Sequence, residues 1–357
     1  MLNKLKIEIS GASHSERITI KVDGLPKGKK IDIEKVQEFV DRRKASTSSF
    51  STKRLEGDII HIASGLDNGI LTGDTFEAYV LNENKRSSDY ENIKDTPRPS
   101  HADYVAYEKW HGKEDMVGGG KFSGRMTVAI CILGGIAKQL LDEKGIDVEA
   151  YISSIGEVIA SSYKDKLPNV EDFASLDQSF RVFNNKDAID KLIEETAKSA
   201  DSIGGVIECI VYNAPVGLSD TLFDSMEGKL SQSIFAIPAV KGVEFGAGFD
   251  IAKMKGSLAN VEFYYDNDKK VHTYSNNNGG INGGITNGMP ILMRVAIKPT
   301  PSIGLEQRTI NLKTKENVKI QIKGRHDACI VPRAVAPIEA AVAITILDSM
   351  LSEGLYD

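Results

Sequence analysis

Leu5, Ile7 and Ile9 alternate with Lys4, Lys6 and Glu8, the two-residue period of a half-buried strand. Ile18, Ile20 and Val22 repeat the pattern, and Gly11-Ala12-Ser13-His14-Ser15 between them is a small-residue turn. Strand, tight turn and strand predict a hairpin with His14 at its tip. Asp32 then caps a helix that lays Ile33, Val36 and Val40 on one face. Strands are predicted near 58–63, 75–81, 148–154, 204–212, 290–298, 309–312 and 317–322. Segments 128–141 and 338–351 are apolar on nearly every side, and a helix without a polar stripe is a buried one. Ile189, Leu192, Ile193 and Ala197 mark an amphipathic helix, and another runs through Leu230 and Ile234 to end before Pro238. The first half of 97–141 reads as a shaped loop, and 242–288 as a long glycine-rich loop. Strands alternating irregularly with a few buried helices predict α+β, or a layered sandwich, and one domain over 1–357.

Composition narrows the partners. Lys and Arg total 44 against 50 Asp and Glu, so the net charge of −6 makes no electrostatic case for nucleic acid. No secretory h-region is visible, and no apolar run approaches the roughly 20 residues that span a bilayer, which predicts a cytoplasmic protein. The three cysteines lie far apart, and Cys131 falls inside the apolar helix as a small hydrophobe. No His or Cys spacing suggests a metal site. His61 and His272 read as structural or solvated and His111 as either, whereas His14, His101 and His326 lie at strand ends or in loops, where acid–base groups are usually carried. Gly118-Gly119-Gly120, ahead of the buried helix, permits close backbone approach to a ligand and favours an anion. The basic segments 42–44, 121–125, Lys298 and 325–333 are scattered along the chain. If they converge they form a site for phosphates; if not, they are surface charge.

Taken together, the short blocks are more specific than any one of them. Gly11-Ala12-Ser13-His14, Val22-Asp23-Gly24, Arg98-Pro99-Ser100-His101-Ala102-Asp103-Tyr104 and Gly118-Gly119-Gly120 come first. Ala239-Val240-Lys241-Gly242-Val243-Glu244, Gly279-Gly280-Ile281-Asn282-Gly283-Gly284, Lys298-Pro299-Thr300 and Gly324-Arg325-His326-Asp327 with Val331-Pro332-Arg333-Ala334-Val335 follow. In this order they resemble the chorismate synthase family over nearly the whole length. The resemblance implies a single β-α-β sandwich with central buried helices, a homotetramer, and dependence on reduced FMN. It implies redox-neutral 1,4-anti elimination of phosphate from 5-enolpyruvylshikimate 3-phosphate, giving chorismate for aromatic amino-acid biosynthesis.

Carried over by position, the resemblance makes His14 the acid at the departing phosphate, His101 the acid at the flavin, and Asp327 a third catalytic group. It gives FMN contacts to Lys121, Phe122, Ser123, Ala239, Gly283, Lys298, Pro299, Thr300, Pro301, Ser302 and Arg325. Substrate contacts fall to Arg43, Ser49, Arg125 and Arg333. The chain departs from the family's usual residues at Ala12, Ser15, Ser49 and along Lys121-Phe122-Ser123-Gly124-Arg125-Met126. The family's nicotinamide contacts map onto Arg43 and Ser49, which leaves NADPH here as an external reductant only. Two alternatives stay open on the residues alone: a flavin- or nucleotide-binding protein without the elimination, and a phosphate-ligand enzyme without flavin.

Overall fold

A computed structural model describes residues 2–44, 57–82, 95–113, 117–322 and 327–356. Two antiparallel sheets enclose a layer of helices. The first sheet holds β1 (Lys6–Ser10), β2 (Arg17–Asp23), β3 (His61–Ser64) and β6 (Phe76–Leu81) in the order β1-β2-β6-β3. A small ribbon, β4 (Leu66–Asp67) with β5 (Ile70–Leu71), lies between β3 and β6 in sequence. The second sheet holds β7 (Asp147–Ile155), β8 (Val158–Ile159), β9 (Gly205–Tyr212), β10 (Val240–Phe245) and β15 (Ile291–Ile297), in the order β10-β15-β9-β7-β8. Three further hairpins pair β11 (Phe263–Tyr265) with β12 (Val271–Thr273), β13 (Ile281–Asn282) with β14 (Ile285–Thr286), and β16 (Gln307–Asn311) with β17 (Glu316–Ile320). The helices are α1 (Ile33–Asp41), α2 (Asp103–Trp110), α3 (Thr127–Asp142), α4 (Lys186–Lys198), α5 (Met226–Phe235), α6 (Gly256–Ala259) and α7 (Val331–Ser352).

The layering follows from where the apolar faces point. Ile18, Ile20 and Val22 of β2 and Phe76, Ala78 and Val80 of β6 share one buried cluster with α3, which packs on both strands. Alternate residues of the second sheet, Val148, Ala150 and Ile152 of β7 with Ile207, Cys209 and Val211 of β9, meet α7 in the same cluster. The opposite face of that sheet carries Tyr151, Ile210, Tyr212 and Leu292, covered by Tyr163 and Phe173. Asp32 caps α1 as expected, accepting from the backbone N–H of Glu34 and Lys35. The first hairpin also forms as expected, with β1 and β2 in register from Lys6↔Asp23 to Ser10↔Thr19.

Four expectations need correction. The loop read at the start of 97–141 contains α2, whose two turns have almost no amphipathic signal for a sequence reading to find. The loop read at 242–288 contains most of β10, an integral strand of the second sheet, and two hairpins. The last helix starts at Val331, seven residues before the expected 338. Pro332 sits in its first turn, where the missing N–H has no intrahelical partner to lose. Pro337 lies inside the helix and is buried, so packing there outweighs the lost hydrogen bond. The 22-residue α7 is also long and apolar enough to cross a bilayer, contrary to the expectation that no run comes close; 94% of its apolar window is buried inside this protein.

The helix layer is tight because α3 carries Gly134 and Gly135 where its neighbours approach. A Cβ on Gly134 would fall 2.2 Å from the Ala340 Cβ and 2.6 Å from the Ala340 Cα on α7. On Gly135 it would meet the Val36 Cα of α1 at 3.2 Å. Alanine normally improves a helix by about 1 kcal/mol over glycine, but overpacking costs about 1–3 kcal/mol or more. Gly134→Ala is therefore expected to lower the urea midpoint, and Ala340→Gly to restore only part of it because the α7 backbone also obstructs. A Gly134→Ala midpoint at or above that of the parent would show that α3 and α7 are not in such close contact.

Candidate active site

Ser13 to Ser15 turn the β1–β2 hairpin, and the Ser13 N–H donates to the Gly120 carbonyl at 3.2 Å. That contact joins the His14 loop to the glycine turn, which is a 3₁₀ segment, Val117–Phe122, running toward α3. Gly119 and Gly120 have φ of 89° and 51°, a backbone that a side chain would strain. His14 Nδ1 lies 3.0 Å from the Ser13 hydroxyl. His101 also lies against the turn, its Nε2 3.4 Å from where a Cβ on Gly119 would be. The His14 loop and His101, 87 positions apart in sequence, thus meet at one glycine turn.

From His101 the contacts run on through carboxylates. His101 Nδ1 is 2.7 Å from Asp103 Oδ1. Arg98 grips the same carboxylate through Nε at 2.7 Å and Nη2 at 2.9 Å, and its Nη1 donates to Ser302 Oγ at 3.2 Å. Burial works against the charge on Asp103, yet the hydrogen bonds from Arg98 and His101 outweigh it and hold its pKa well below the usual carboxylate range. The Lys298 ammonium donates to the Ser100 carbonyl at 2.6 Å, and the Lys298 N–H to the carbonyl of Ala239, itself at φ 74°. Burial, and then the like charge of Lys241, lower the Lys298 pKa. Thr300 Oγ1 donates to the Asp327 carbonyl at 3.1 Å, and Arg333 Nη1 to Asp327 Oδ2 at 2.6 Å.

The remaining arc is built on Asp58, which is buried and hydrogen-bonded by both Arg43 and Arg125. Burial pulls the Arg43 pKa below its ordinary value against the attraction of Asp58, with repulsion from Arg333 and Arg125 adding to the shift. Arg125 Nε donates to Asn82 Oδ1 at 3.0 Å, and Asn82 Nδ2 donates to the carbonyls of Ala12 and Ser15 at 3.2 and 2.8 Å. The chain of contacts has returned to the His14 loop. One cation from each scattered basic segment, Arg43, Arg125, Lys298 and Arg333, falls in this ring, each set against a carboxylate or a carbonyl.

Most of the expected positions fall in or beside this ring: His14, His101, Asp327, Arg43, Arg125, Arg333, Ser123, Ala239, Lys298, Thr300 and Ser302. Pro299 and Pro301 belong to the same turn. Lys121 and Phe122 instead face Trp110, the ammonium 3.7 Å from the ring centroid and the Phe122 ring at 5.9 Å. Gly283 sits in the β13–β14 turn with nothing within 4 Å of where its Cβ would be, and no described contact ties it to the ring. Ser49, Arg325 and His326 lie outside the described residues. The sequence alone assigns no role to Asp58, Asn82, Arg98, Asp103 or Lys241. Arg98, Asp103 and Lys241 lie inside blocks of the resemblance, and Asp103 is also an acidic residue at the first position of a helix, whereas Asp58 and Asn82 carry no signal.

A layered α+β fold that gathers paired cations and two histidines at one end is the frame of a metabolic enzyme for a small substrate. A family model described as chorismate synthase matches residues 5–351. A chorismate synthase of Dehalococcoides mccartyi strain BAV1 is 44% identical over 357 residues, 99% of this chain and 97% of its own. One from Thermococcus gammatolerans is 44% identical over 356 residues, covering 99% and 98%. A crystal structure of a chorismate synthase superposes with a TM-score of 0.76 at 26% identity, covering 99% of this chain and 93% of that one. The chain belongs to the chorismate synthase family. Its activity is that of a carbon–oxygen lyase of aromatic amino-acid biosynthesis.

Asp103 and the buried Glu339 both have pKa values held below their unfolded values, the first by Arg98 and His101, the second by Arg42, Lys138 and Arg181 against strong burial. The unfolded chain then binds more protons, so their contribution is present above about pH 4 and is lost as pH falls. Melting temperature should drop steeply below that pH, and Asp103→Asn should flatten part of the drop. An Asp103→Asn profile parallel to the parent's down to about pH 3 would remove Asp103 from the acid transition.

Proposed function

We propose that the ring is the site of 1,4-anti elimination of phosphate from 5-enolpyruvylshikimate 3-phosphate, with reduced FMN bound alongside. The observation that carries this reading is the meeting of the His14 loop and His101 at one glycine turn inside a ring of cations. A leaving phosphate needs cations to hold it and an acid to protonate it, and histidine has an unperturbed pKa near 6.5 for that task. Arg43, Arg125 and Arg333 would hold the substrate, and His14 would deliver the proton to the departing phosphate. Ser49, aligned with them in the family, would complete that set.

The residues fit a phosphate-bearing cofactor. Burial, and then the like charge of Lys241, lower the Lys298 pKa, and an anion bound beside Lys298 would offset both. The left-handed backbone at Ala239 brings its carbonyl onto the Lys298 N–H at 2.9 Å. Lys298, Pro299, Thr300, Pro301 and Ser302 would hold FMN with Ala239, Ser123 and Arg325, and with Lys121, Phe122 and Gly283 if ligand binding brings those three in. When bound, reduced FMN supplies electron density that assists loss of the allylic phosphate. His101 keeps a proton on the cofactor side of the glycine turn. Asp327, oriented by Arg333, presents a carboxylate that accepts a proton or a hydrogen bond from that side. NADPH enters only as an external reductant.

We propose further that 1–357 works as one cytoplasmic domain in a homotetramer. A single buried cluster reaching from β2 to β15 favours one domain. The homotetramer rests on the family resemblance.

Substrate and product are at one oxidation level, so one equivalent of reduced FMN under anaerobic conditions should support many turnovers. Chorismate formed only in step with flavin oxidised would reject the elimination. His14→Ala and His101→Ala should each lower kcat by roughly 10²–10⁴-fold, the contribution of a general acid, with substrate affinity better kept. Asp327→Asn should slow removal of the C6 proton and enlarge the isotope effect with C6-deuterated substrate; an unchanged rate and isotope effect would leave Asp327 a binding residue. Lys298→Ala should weaken FMN by about 1–3 kcal/mol, as for loss of a charge-assisted hydrogen bond. Equal flavin affinity in parent and variant would put Lys298 outside the pocket.

A further inference from the structure

The contacts around His101 fix more than its position. Asp103 Oδ2 accepts two donors from Arg98, the backbone N–H at 3.0 Å and Nε at 2.7 Å. Asp103 Oδ1 accepts Arg98 Nη2 at 2.9 Å and faces His101 Nδ1 at 2.7 Å. The same Arg98 Nη2 lies 3.1 Å from His101 Nδ1. An ionised carboxylate only accepts and a guanidinium only donates. At 2.7 Å from a carboxylate oxygen, a bare lone pair on Nδ1 would be repelled, whereas an Nδ1–H makes a short charge-assisted bond. Arg98 Nη2 already donates to Asp103 Oδ1 at 2.9 Å, and its approach to Nδ1 is the longer one. The shorter carboxylate contact therefore points to a proton on Nδ1. The other ring nitrogen points toward Gly119, where a Cβ would be 3.4 Å from Nε2 and 3.6 Å from Cε1. Both partners are well shielded, with the Arg98 and Asp103 side chains 6% and 13% exposed.

We infer that Asp103, clamped by Arg98, is a positioning residue that locks His101 in its Nδ1–H tautomer and makes Nε2, on the Gly119 side, its single proton-transfer atom. The neutral ring accepts at Nε2, and the protonated ring donates from Nε2 while Asp103 balances its charge. The consequence for catalysis rests on His101 being the acid proposed above; the tautomer itself does not.

Asp103→Asn tests the lock because the clamp favours one placement of the asparagine amide. Two Arg98 donors meet the Oδ2 position and one, Nη2, meets Oδ1. The amide oxygen therefore keeps more hydrogen bonds at Oδ2, and the amide nitrogen then faces His101 at the cost of the Nη2 contact. It would then donate to Nδ1, and the ring proton would move to Nε2, the wrong tautomer for an acid–base histidine. The measurement is a long-range proton–nitrogen spectrum of the full chain labelled with ¹⁵N-histidine, the His101 signals being those absent in His101→Gln. Followed upward in pH until the ring is neutral, the parent should keep the proton on Nδ1 and show a bare Nε2, and Asp103→Asn the reverse. Chorismate formation in Asp103→Asn should lose roughly 10²–10⁴-fold in kcat, with KM changed only a few-fold. A parent spectrum with the proton on Nε2 would overturn the inference, and so would an Asp103→Asn spectrum identical to the parent's. If Asp103→Asn does not fold, the parent spectrum still decides. A switched tautomer with an unchanged kcat would uphold the lock and reject His101 as the acid.

Discussion

The fold depends on a carboxylate buried in its longest helix, α7. Glu339 of α7 is fully buried and accepts two hydrogen bonds from Arg42, at 2.8 and 2.7 Å, one from Arg181 at 2.9 Å, and one from the Ala150 N–H at 3.1 Å. Lys138 completes the set, and Glu149 ties Lys138 and Arg181 together at 3.1 and 2.6 Å. The partners come from the C-terminal end of α1, from α3, from β7 and from the segment crossing its outer side. Replacing such a network by apolar side chains is often neutral, whereas removing one partner costs about 3–5 kcal/mol. Its value is therefore specification: it fixes how α7 lies against α1, α3 and the second sheet. Asp348, nine residues on, does the same for the N-terminus by accepting the N–H groups of Asn3, Lys4 and Leu5, each at 2.8 Å.

That anchoring reaches the site along the backbone. Arg42 turns into the core toward Glu339, and Arg43, the next residue, meets Asp58. Arg333 stands in the first turn of α7, six residues before Glu339 on the same helix. Arg125 and the glycine turn precede α3, whose Lys138 shares the network. Cations on three separate elements are thus held at fixed spacing by one carboxylate that takes no part in the site.

Within the site each carboxylate has a positioning task. Asp58 holds Arg43 and Arg125, Asp103 holds Arg98 and His101, and Asp327 meets Arg333. A cation tethered to a buried carboxylate keeps one geometry, and its remaining donors can be aimed at an anionic ligand without reorganisation. The positive charge gathered there is invisible in a chain whose net charge is −6.

The local pattern by itself determined the half-buried strands β1 and β2, the Asp32 cap, the all-apolar α3 and the body of α7, because each is written in periods of two or 3.6 or in one capping residue. It also marked His14, His101 and the basic segments, since residue type and loop setting are local properties. Tertiary structure decided the rest. α2 forms despite lacking an amphipathic face, β10 needs β15 to be a strand, and Pro337 stays helical because burial outweighs one missing hydrogen bond. Asp58 meets Arg125 across 67 positions, and Asn82 meets Ala12 across 70. No spacing in the sequence encodes those distances; the angle between two sheets and the thickness of the helices between them do.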